Sequence, residues 1–378
     1  MTDALRHAAT SITTQPTKDE ISSLLIAAMK TQGFGDLYLA SDRPPAAKIH
    51  GKPVMLSERK WIHGEIEEVV RHLDGPSGPS RLLQGNQIDR SFEVIHREPG
   101  AKAERFRFRL NMTAIRSGRG DTGFAITARG INWMPPKMEQ IGLEDEIKEN
   151  LFPRQGLNII AGSTGDGKST TLAAAIRDLV ETDVNGKVIN TYEEPIEFVY
   201  DGCDNICSIV HQSEVPVMVK SFADGIRASM RRNPDIILVG ELRDNETISA
   251  AIEASMTGHL VWGTLHANRV ADILRRMVSR FDKDEQASRL GDIISSTRLL
   301  MVQRLVPGAE GGRVALREYL VCDDEVRSIL FEANLPTIAH TLDGLVKERG
   351  KTLLQAASEA HQAGKISDQV LKHMEKTG

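Results

Sequence analysis

The stretch from Leu157 to Thr170 constrains this chain more than any other part of it. Leu157-Asn158-Ile159-Ile160-Ala161 is a short apolar run that passes directly into Gly162-Ser163-Thr164-Gly165-Asp166-Gly167-Lys168-Ser169-Thr170. Apolar residues at helical spacing follow, at Leu172, Ile176, Leu179 and Val180. A strand, a turn of the form G-x-x-x-x-G-K-[ST] and a helix, in that order, make a phosphate cradle. Glycines let backbone N–H groups converge on phosphate oxygens with no side chain in the way. The helix N-terminus adds positive potential where the anion sits. Lys168 is then expected to reach the β- and γ-phosphates of a nucleotide, and the Ser169 hydroxyl to serve Mg2+. The plain alternative is a glycine-rich turn with an incidental lysine; the strand before it and the helix after it favour the cradle.

Around the cradle, strand-like runs alternate with helical stretches. Lys187–Tyr192, Ile236–Val239 and Leu260–Thr264 are apolar or β-branched, and this alternation predicts a parallel sheet flanked by helices. Ile236–Val239 is apolar without alternation, as a strand buried on both faces should be. It ends in Gly240-Glu241, with Asp235 at its start. Active-site loops of such sheets leave the carboxyl ends of the strands. Glu241 is thus either a base that orients an attacking water or a solvated loop glutamate. Beyond about Arg280 the chain reads as helical, interrupted by a hairpin near Arg313–Val321, with carboxyl helices at Glu325–Glu332 and Leu353–Met374.

The amino-terminal half has a different texture. Residues 1–16 read as a flexible tail, and structure is expected to start at the Thr17-Lys18-Asp19-Glu20 capping box. Strand candidates at Asp36–Leu39, Ala47–His50, Ser91–His96, Arg105–Thr113 and Gly123–Arg129, with a helix over Gly64–Leu73, predict a small α+β domain on an antiparallel sheet over residues 17–131. Arg105-Phe106-Arg107-Phe108-Arg109-Leu110 puts arginines on one face and apolar residues on the other. Those arginines are either a solvated face or donors for an anion. Residues 132–142, with Pro135-Pro136, are the expected linker, and residues 143–378 the second domain. A length of 378 residues suits two domains or three, since one core rarely grows beyond about 250–300.

Composition narrows the function. The formal net charge is −5 and aromatic residues are 4%, which argues against a nucleic-acid-binding coat or strand-stacking surface. No apolar run approaches the roughly 18–20 residues of a membrane span, and the first twenty residues lack the apolar core of a secretory signal. The expected location is cytoplasmic. Three cysteines, Cys203, Cys207 and Cys322, are too few for a disulfide scaffold, and no histidine pattern completes a zinc site around them.

Three further stretches carry a resemblance. Tyr192-Glu193-Glu194-Pro195-Ile196-Glu197-Phe198, Gly240-Glu241-Leu242-Arg243-Asp244, and Thr257-Gly258-His259 with Thr264-Leu265-His266 are similar, in that order, to the Asp, Walker B and His boxes of the secretion ATPases. These are the motors of type II and type IV secretion and of type IV pilus extension and retraction. Ser221-Phe222-Ala223-Asp224, Asn233-Pro234-Asp235 and Gly311-Gly312-Arg313-Val314 resemble the PilT-like branch, as do Gly35–Leu39, Arg107–Asn111 and Met138–Gly142. The resemblance runs from about residue 20 to about residue 345.

It implies a PAS-like amino-terminal domain joined to a RecA-like P-loop ATPase domain, assembled as a homohexamer. Such a motor works peripherally at the cytoplasmic face of the inner membrane, against secretion or pilus machinery, and converts ATP hydrolysis into domain motion. It also implies that Glu241 is the catalytic glutamate, that Glu193 and Glu194 line the metal and water side, and that His259 and His266 sense the γ-phosphate. Arg109 and Arg129 would approach phosphates from the amino-terminal domain. Asp166 stands where retraction enzymes usually have serine, and Glu194-Pro195 replaces an aspartate–proline pair. With the Thr191–Tyr200 stretch, these departures resemble the DotB/TraJ-type ATPases of type IVB secretion. The alternatives are a type IV pilus retraction ATPase and, from another class, a RecA-like nucleic-acid translocase.

Overall fold

The structure is a computed structural model that describes residues 2–97, 103–118, 120–131 and 133–377. The chain divides into two compact units: Met1–Trp133 with Pro195–Glu197, and Met134–Glu194 with Phe198–Gly378.

Unit 1 is built on a six-stranded antiparallel sheet in the order β3-β2-β1-β6-β5-β4. Its elements are helices α1 (Asp3–Ser11) and α2 (Lys18–Lys30), strands β1 (Phe34–Ala40), β2 (Ala46–Ile49) and β3 (Lys52–Met55), helices α3 (His63–Asp74) and α4 (Gly78–Leu83), and strands β4 (Ile88–His96), β5 (Glu104–Arg116) and β6 (Thr122–Ile131). Alternation along β5 drives Phe108, Leu110 and Met112 into the core with Leu24, Leu25, Ile66, Val69 and Phe124. The capping box expected at Thr17 is formed: its hydroxyl accepts the Glu20 N–H, and the Glu20 carboxylate accepts the Thr17 N–H at 2.7 Å.

One expectation for this half is corrected. The segment 1–16 is not a loose tail, because α1 occupies Asp3–Ser11 and buries Leu5, Ala9 and Ile12 in the unit 1 core. Leu5 and Ala9 stand one helical turn apart, too sparse a stripe to show against polar neighbours.

Unit 2 holds a seven-stranded sheet in the order β13-β12-β7-β11-β10-β8-β9. All neighbours are parallel except β12 and β13. A short 3₁₀ turn at Glu139–Ile141 and α5 (Asp145–Asn150) precede β7 (Gly156–Ala161). Then come α6 (Lys168–Thr182), β8 (Val188–Glu193), β9 (Ile209–Glu214), α7 (Phe222–Ser229), β10 (Ile236–Val239), α8 (Asn245–Met256), β11 (Leu260–Leu265), α9 (Val270–Val278) and α10 (Gln286–Ser296). Strands β12 (Thr297–Pro307) and β13 (Arg313–Val321) lead to α11 (Asp324–Glu332), α12 (Ile338–Arg349), α13 (Leu353–Gln362) and α14 (Asp368–Thr377). The carboxyl segment expected as one helix from Leu353 is therefore two.

Apolar residues on both sides of the strands give this sheet two cores. Ile237, Val239 and Val261 face one with α7, α8 and α9, while Ile236, Leu238 and Trp262 face the other with Leu172, Ile176 and Val180 of α6.

The stretch 132–142 is not a free tether. Asn132 lies outside the described residues, but Met138 is buried in the second of these cores together with Leu143 and Ile147. The 3₁₀ turn is closed by Gly142 in the left-handed region, φ +56°. Among the described residues, no helix is long and apolar enough to cross a membrane.

Candidate active site

Parallel pairing collects the sequence motifs at one edge. Ala161 ends β7 opposite Leu265 of β11, Val239 of β10 pairs with Gly263 and with Tyr192 of β8, and each strand then turns into a loop. Gly162–Gly167 follow β7, Glu193-Glu194 close β8, Gly240-Glu241 follow β10 and His266 follows β11. All four loops therefore leave the carboxyl edge of the sheet, where α/β folds bind ligands. Backbone bonds knit them together: Gly162 N–H donates to Leu265 O at 3.2 Å, Gly240 N–H to Tyr192 O at 2.7 Å and Leu242 N–H to Thr264 O at 2.8 Å.

The glycine-rich turn has the geometry the motif demands. Gly162, Gly165 and Gly167 take φ values of +150°, +88° and +78°. A Cβ on Gly162 would also stand 2.4 Å from the Gln303 carbonyl oxygen, so a side chain is excluded there twice over. Helix α6 starts at Lys168 with no side-chain cap, which leaves its first-turn N–H groups directed at the loop. The buried Lys168 ammonium donates to the carbonyls of Gly162 and Ser163 at 2.9 and 2.8 Å. Ser169 and Thr170 follow in the first turn of α6. Asp166 folds its carboxylate back over the turn, accepting the Ser163 N–H at 2.8 Å and the Leu305 N–H of β12 at 3.1 Å. Each of its two oxygens thus serves one amide. These features suit a polyphosphate.

His266 joins the base candidate to the cradle. Its Nδ1 lies 3.2 Å from the Gly162 carbonyl and its Nε2 3.6 Å from Glu241 Oε1. Thr264 donates its hydroxyl to the Gly240 carbonyl, tying the turn before Glu241 to β11. Glu193 Oε1 accepts from the Thr191 hydroxyl at 2.6 Å and from Gln212 at 3.0 Å. Glu194 pairs with Arg243 at 2.8 Å, and that guanidinium also covers the Phe222 ring. Asp244, the last residue of the Walker B-like stretch, caps α8 by accepting the Thr247 N–H at 2.8 Å.

His259 is not brought to this edge. It precedes β11, where its carbonyl accepts the Gly156 N–H at the start of β7, and its ring lies on Ala254 O. Six strand residues separate it from His266, roughly 20 Å at about 3.3 Å per residue. Proximity in sequence had suggested one box; the extended strand puts its two histidines at opposite edges.

Arg109 and Arg129 belong to unit 1. They are direct cross-strand neighbours on β5 and β6. Arg109 pairs with Asp89 at 3.2 Å and stands 3.9 Å from Glu197; Arg129, 63% exposed, pairs with Asp36 at 2.6 Å. The bond to Asp36 holds the Arg129 pKa above its ordinary value. Arg107 is buried instead, donating to the carbonyls of Ile196 and Glu197 at 3.0 and 3.1 Å. It is part of the unit 1 scaffold, not a solvated face.

Motif reading missed Gln303, Arg317 and Asn268, and quoted Arg313 in the Gly311–Val314 stretch without giving it a role at the turn. Arg313 donates to the Gly165 carbonyl at 3.2 Å and the Ser163 hydroxyl to Asn268 at 3.4 Å, while Gln303 Nε2 donates to the Asp166 carbonyl at 2.7 Å. Gln303, Arg313 and Arg317 come from β12 and β13, more than 130 residues beyond the turn in sequence, where no local pattern relates them to it.

A family model described as "Type II/IV secretion system protein" matches residues 137–311. The type IV pilus retraction ATPase PilT of Pseudomonas aeruginosa is 34% identical over 313 residues, covering 83% of this chain and 86% of that protein. The solved structure of the Legionella pneumophila ATPase DotB matches with a TM-score of 0.89 at 38% identity, over 97% of this chain and 98% of that one. The solved structure of the pilus retraction motor PilT with bound ADP matches with a TM-score of 0.78 at 31% identity, over 93% of this chain and 95% of that one.

Proposed function

The chain belongs to the superfamily of type II/IV secretion and type IV pilus ATPases, with the RecA-like fold of DotB and PilT, and from that premise we propose that it is a Mg2+-dependent, ATP-hydrolysing motor of the type IVB secretion kind. The observation that carries the reading is the convergence of the left-handed glycine turn, Lys168, His266 and Glu241 at one sheet edge.

In this reading the turn at 162–167 and the α6 N-terminus hold the β- and γ-phosphates of ATP, with Lys168 placing its ammonium on them. Among the described residues no group of three or more His, Cys, Asp or Glu could hold a metal ion by itself. Mg2+ would therefore be held by the Ser169 hydroxyl, phosphate oxygens and water, the usual arrangement for this ion, and would supply charge neutralisation. Glu241 orients the attacking water and takes its proton, with His266 fixing the carboxylate beside Gly162. Glu193 and Glu194 shape the water side. Arg109 and Arg129 are proposed as guanidinium donors of the amino-terminal unit for the transferring phosphoryl group, within a homohexamer at the cytoplasmic face of a membrane machine.

The type IVB assignment is favoured by the higher identity and TM-score to DotB and by Asp166 in the turn. Pilus retraction remains the second reading, carried by the long match to PilT. Steady-state turnover and nucleotide binding of wild type and Glu241→Gln test the chemistry. The substitution is expected to keep ATP binding while turnover falls by roughly 10²–10⁴; equal loss of both would make Glu241 structural. Complementation of a type IVB secretion mutant and of a pilus retraction mutant separates the two machines.

A further inference from the structure

Gln303 and Arg317 stand directly opposite each other in the β12–β13 ladder, 2% and 1% exposed. Their hydrogen bonds run in two directions. On one side, Gln303 Nε2 donates to the Asp166 carbonyl at 2.7 Å, and Gln303 Oε1 accepts the Thr171 hydroxyl of α6 at 2.9 Å. On the other, Arg317 Nε donates to the same Oε1 at 2.8 Å. The remaining donors of that guanidinium reach the carbonyls of Ile141 and Gly142, both at 3.0 Å, and Glu144 Oε2 at 2.9 Å. An unbroken line of bonds within unit 2 thus joins the phosphate turn to the segment Ile141–Glu144.

Stability alone is a poor reason for this arrangement. Apolar residues of similar volume commonly serve a core as well as a buried charge does, or better. Both clients are irregular backbone: a turn between left-handed glycines, and the end of a 3₁₀ turn whose carbonyls lack helical partners. The connector between them is a ladder pair in the sheet, fixed in register by the β12–β13 backbone bonds. A phosphate in the turn becomes a further partner of the Lys168 ammonium beside the Gly162 and Ser163 carbonyls, so a ligand acts on the same hydrogen-bonded turn.

We propose that Gln303 and Arg317 are positioning residues that couple the phosphate turn to the segment Ile141–Glu144, so that nucleotide at the turn orders that segment and an ordered segment raises nucleotide affinity. The two effects are reciprocal by linkage. This inference rests on the nucleotide reading of the turn.

The test uses the full chain with ADP as probe, combining calorimetric binding with hydrogen exchange of the peptide spanning residues 139–148. In wild type, ADP is expected to slow exchange across that peptide. Gln303→Glu keeps the acceptor for Thr171 and Arg317 but sets a carboxylate oxygen against the Asp166 carbonyl. It is expected to bind ADP roughly 5- to 10-fold more weakly and, at saturating ADP, to show no slowing at 139–148. Arg317→Lys should behave alike, because an ammonium cannot span four acceptors in a plane. Thr171→Val removes a single hydroxyl and should fold even if the others do not; a reduced ADP response at 139–148 is expected.

Wild type that binds ADP with no response at 139–148 overturns the coupling and leaves the nucleotide site standing. So do variants that melt at lower temperature yet keep the full response, including Thr171→Val if it is the one that folds. Wild type that binds no ADP overturns the nucleotide reading itself and the coupling with it.

Discussion

Lys168 shows how much one side chain carries at the turn. Its ammonium is buried and already bonded to two loop carbonyls, so it is held in place before any ligand arrives. Hydrogen bonds to a charged group are worth about 1.5–3 kcal/mol each, and Lys168→Ala should weaken ATP binding by roughly 10- to 100-fold. Calorimetry with ATP reads this directly; unchanged affinity would remove the turn from the site. The cysteines differ just as sharply from one another. Burial pushes the Cys322 thiol up to about 12 and the Cys203 thiol to about 11, whereas Cys207 is exposed. Because the thiolate is the reactive form, iodoacetamide at pH 7.5 should label Cys207 first and leave Cys322 unmodified until the protein unfolds. Peptide mapping over time checks the order, and early labelling of Cys322 would contradict its burial.

Between elements, Glu318 of β13 joins three of them through one buried carboxylate. Its carboxylate accepts the Val270 N–H at the start of α9, at 2.6 Å, and a bond from Leu353 at the start of α13. Burial raises its pKa above the ordinary carboxylate value, partly offset by those amides. A carboxyl group raised in the fold favours the native state while protonated. That contribution is present below the unfolded value of about 4.3 and is lost as pH rises through the folded value. Glu318→Gln should therefore flatten the fall in stability on going from acid towards neutral pH. Urea unfolding at pH 4, 5.5 and 7 measures the slope, and an unaltered slope would place the titration on another group.

At the scale of the whole molecule, each unit carries its own core, and the proposed phosphate ligands are divided between them. Arg109 and Arg129 lie in unit 1, each held on a carboxylate, while the turn, Glu241 and His266 lie in unit 2. If catalysis is completed between copies of the chain, turnover per subunit should climb with protein concentration through the range in which sedimentation shows assembly. A flat profile would confine the active site to a single chain.

The order of residues alone determined the strand–turn–helix of the cradle, the parallel alternation around it and the place of Glu241 in the loop after a buried strand, because each depends on local spacing: glycines that permit left-handed backbone, an apolar strand buried on both faces, a loop at its carboxyl end. It also located the antiparallel half, through period-two alternation in β5. Tertiary structure decided the rest. Strand direction sent His259 to the opposite edge from His266, a distinction invisible to two residues read as one box. Helix α1 forms on a stripe too sparse to notice until a core receives it. The line of bonds from Asp166 through Gln303 and Arg317 to Ile141 arises only when sheet order sets β12 beside β7, bringing together side chains that no local pattern relates.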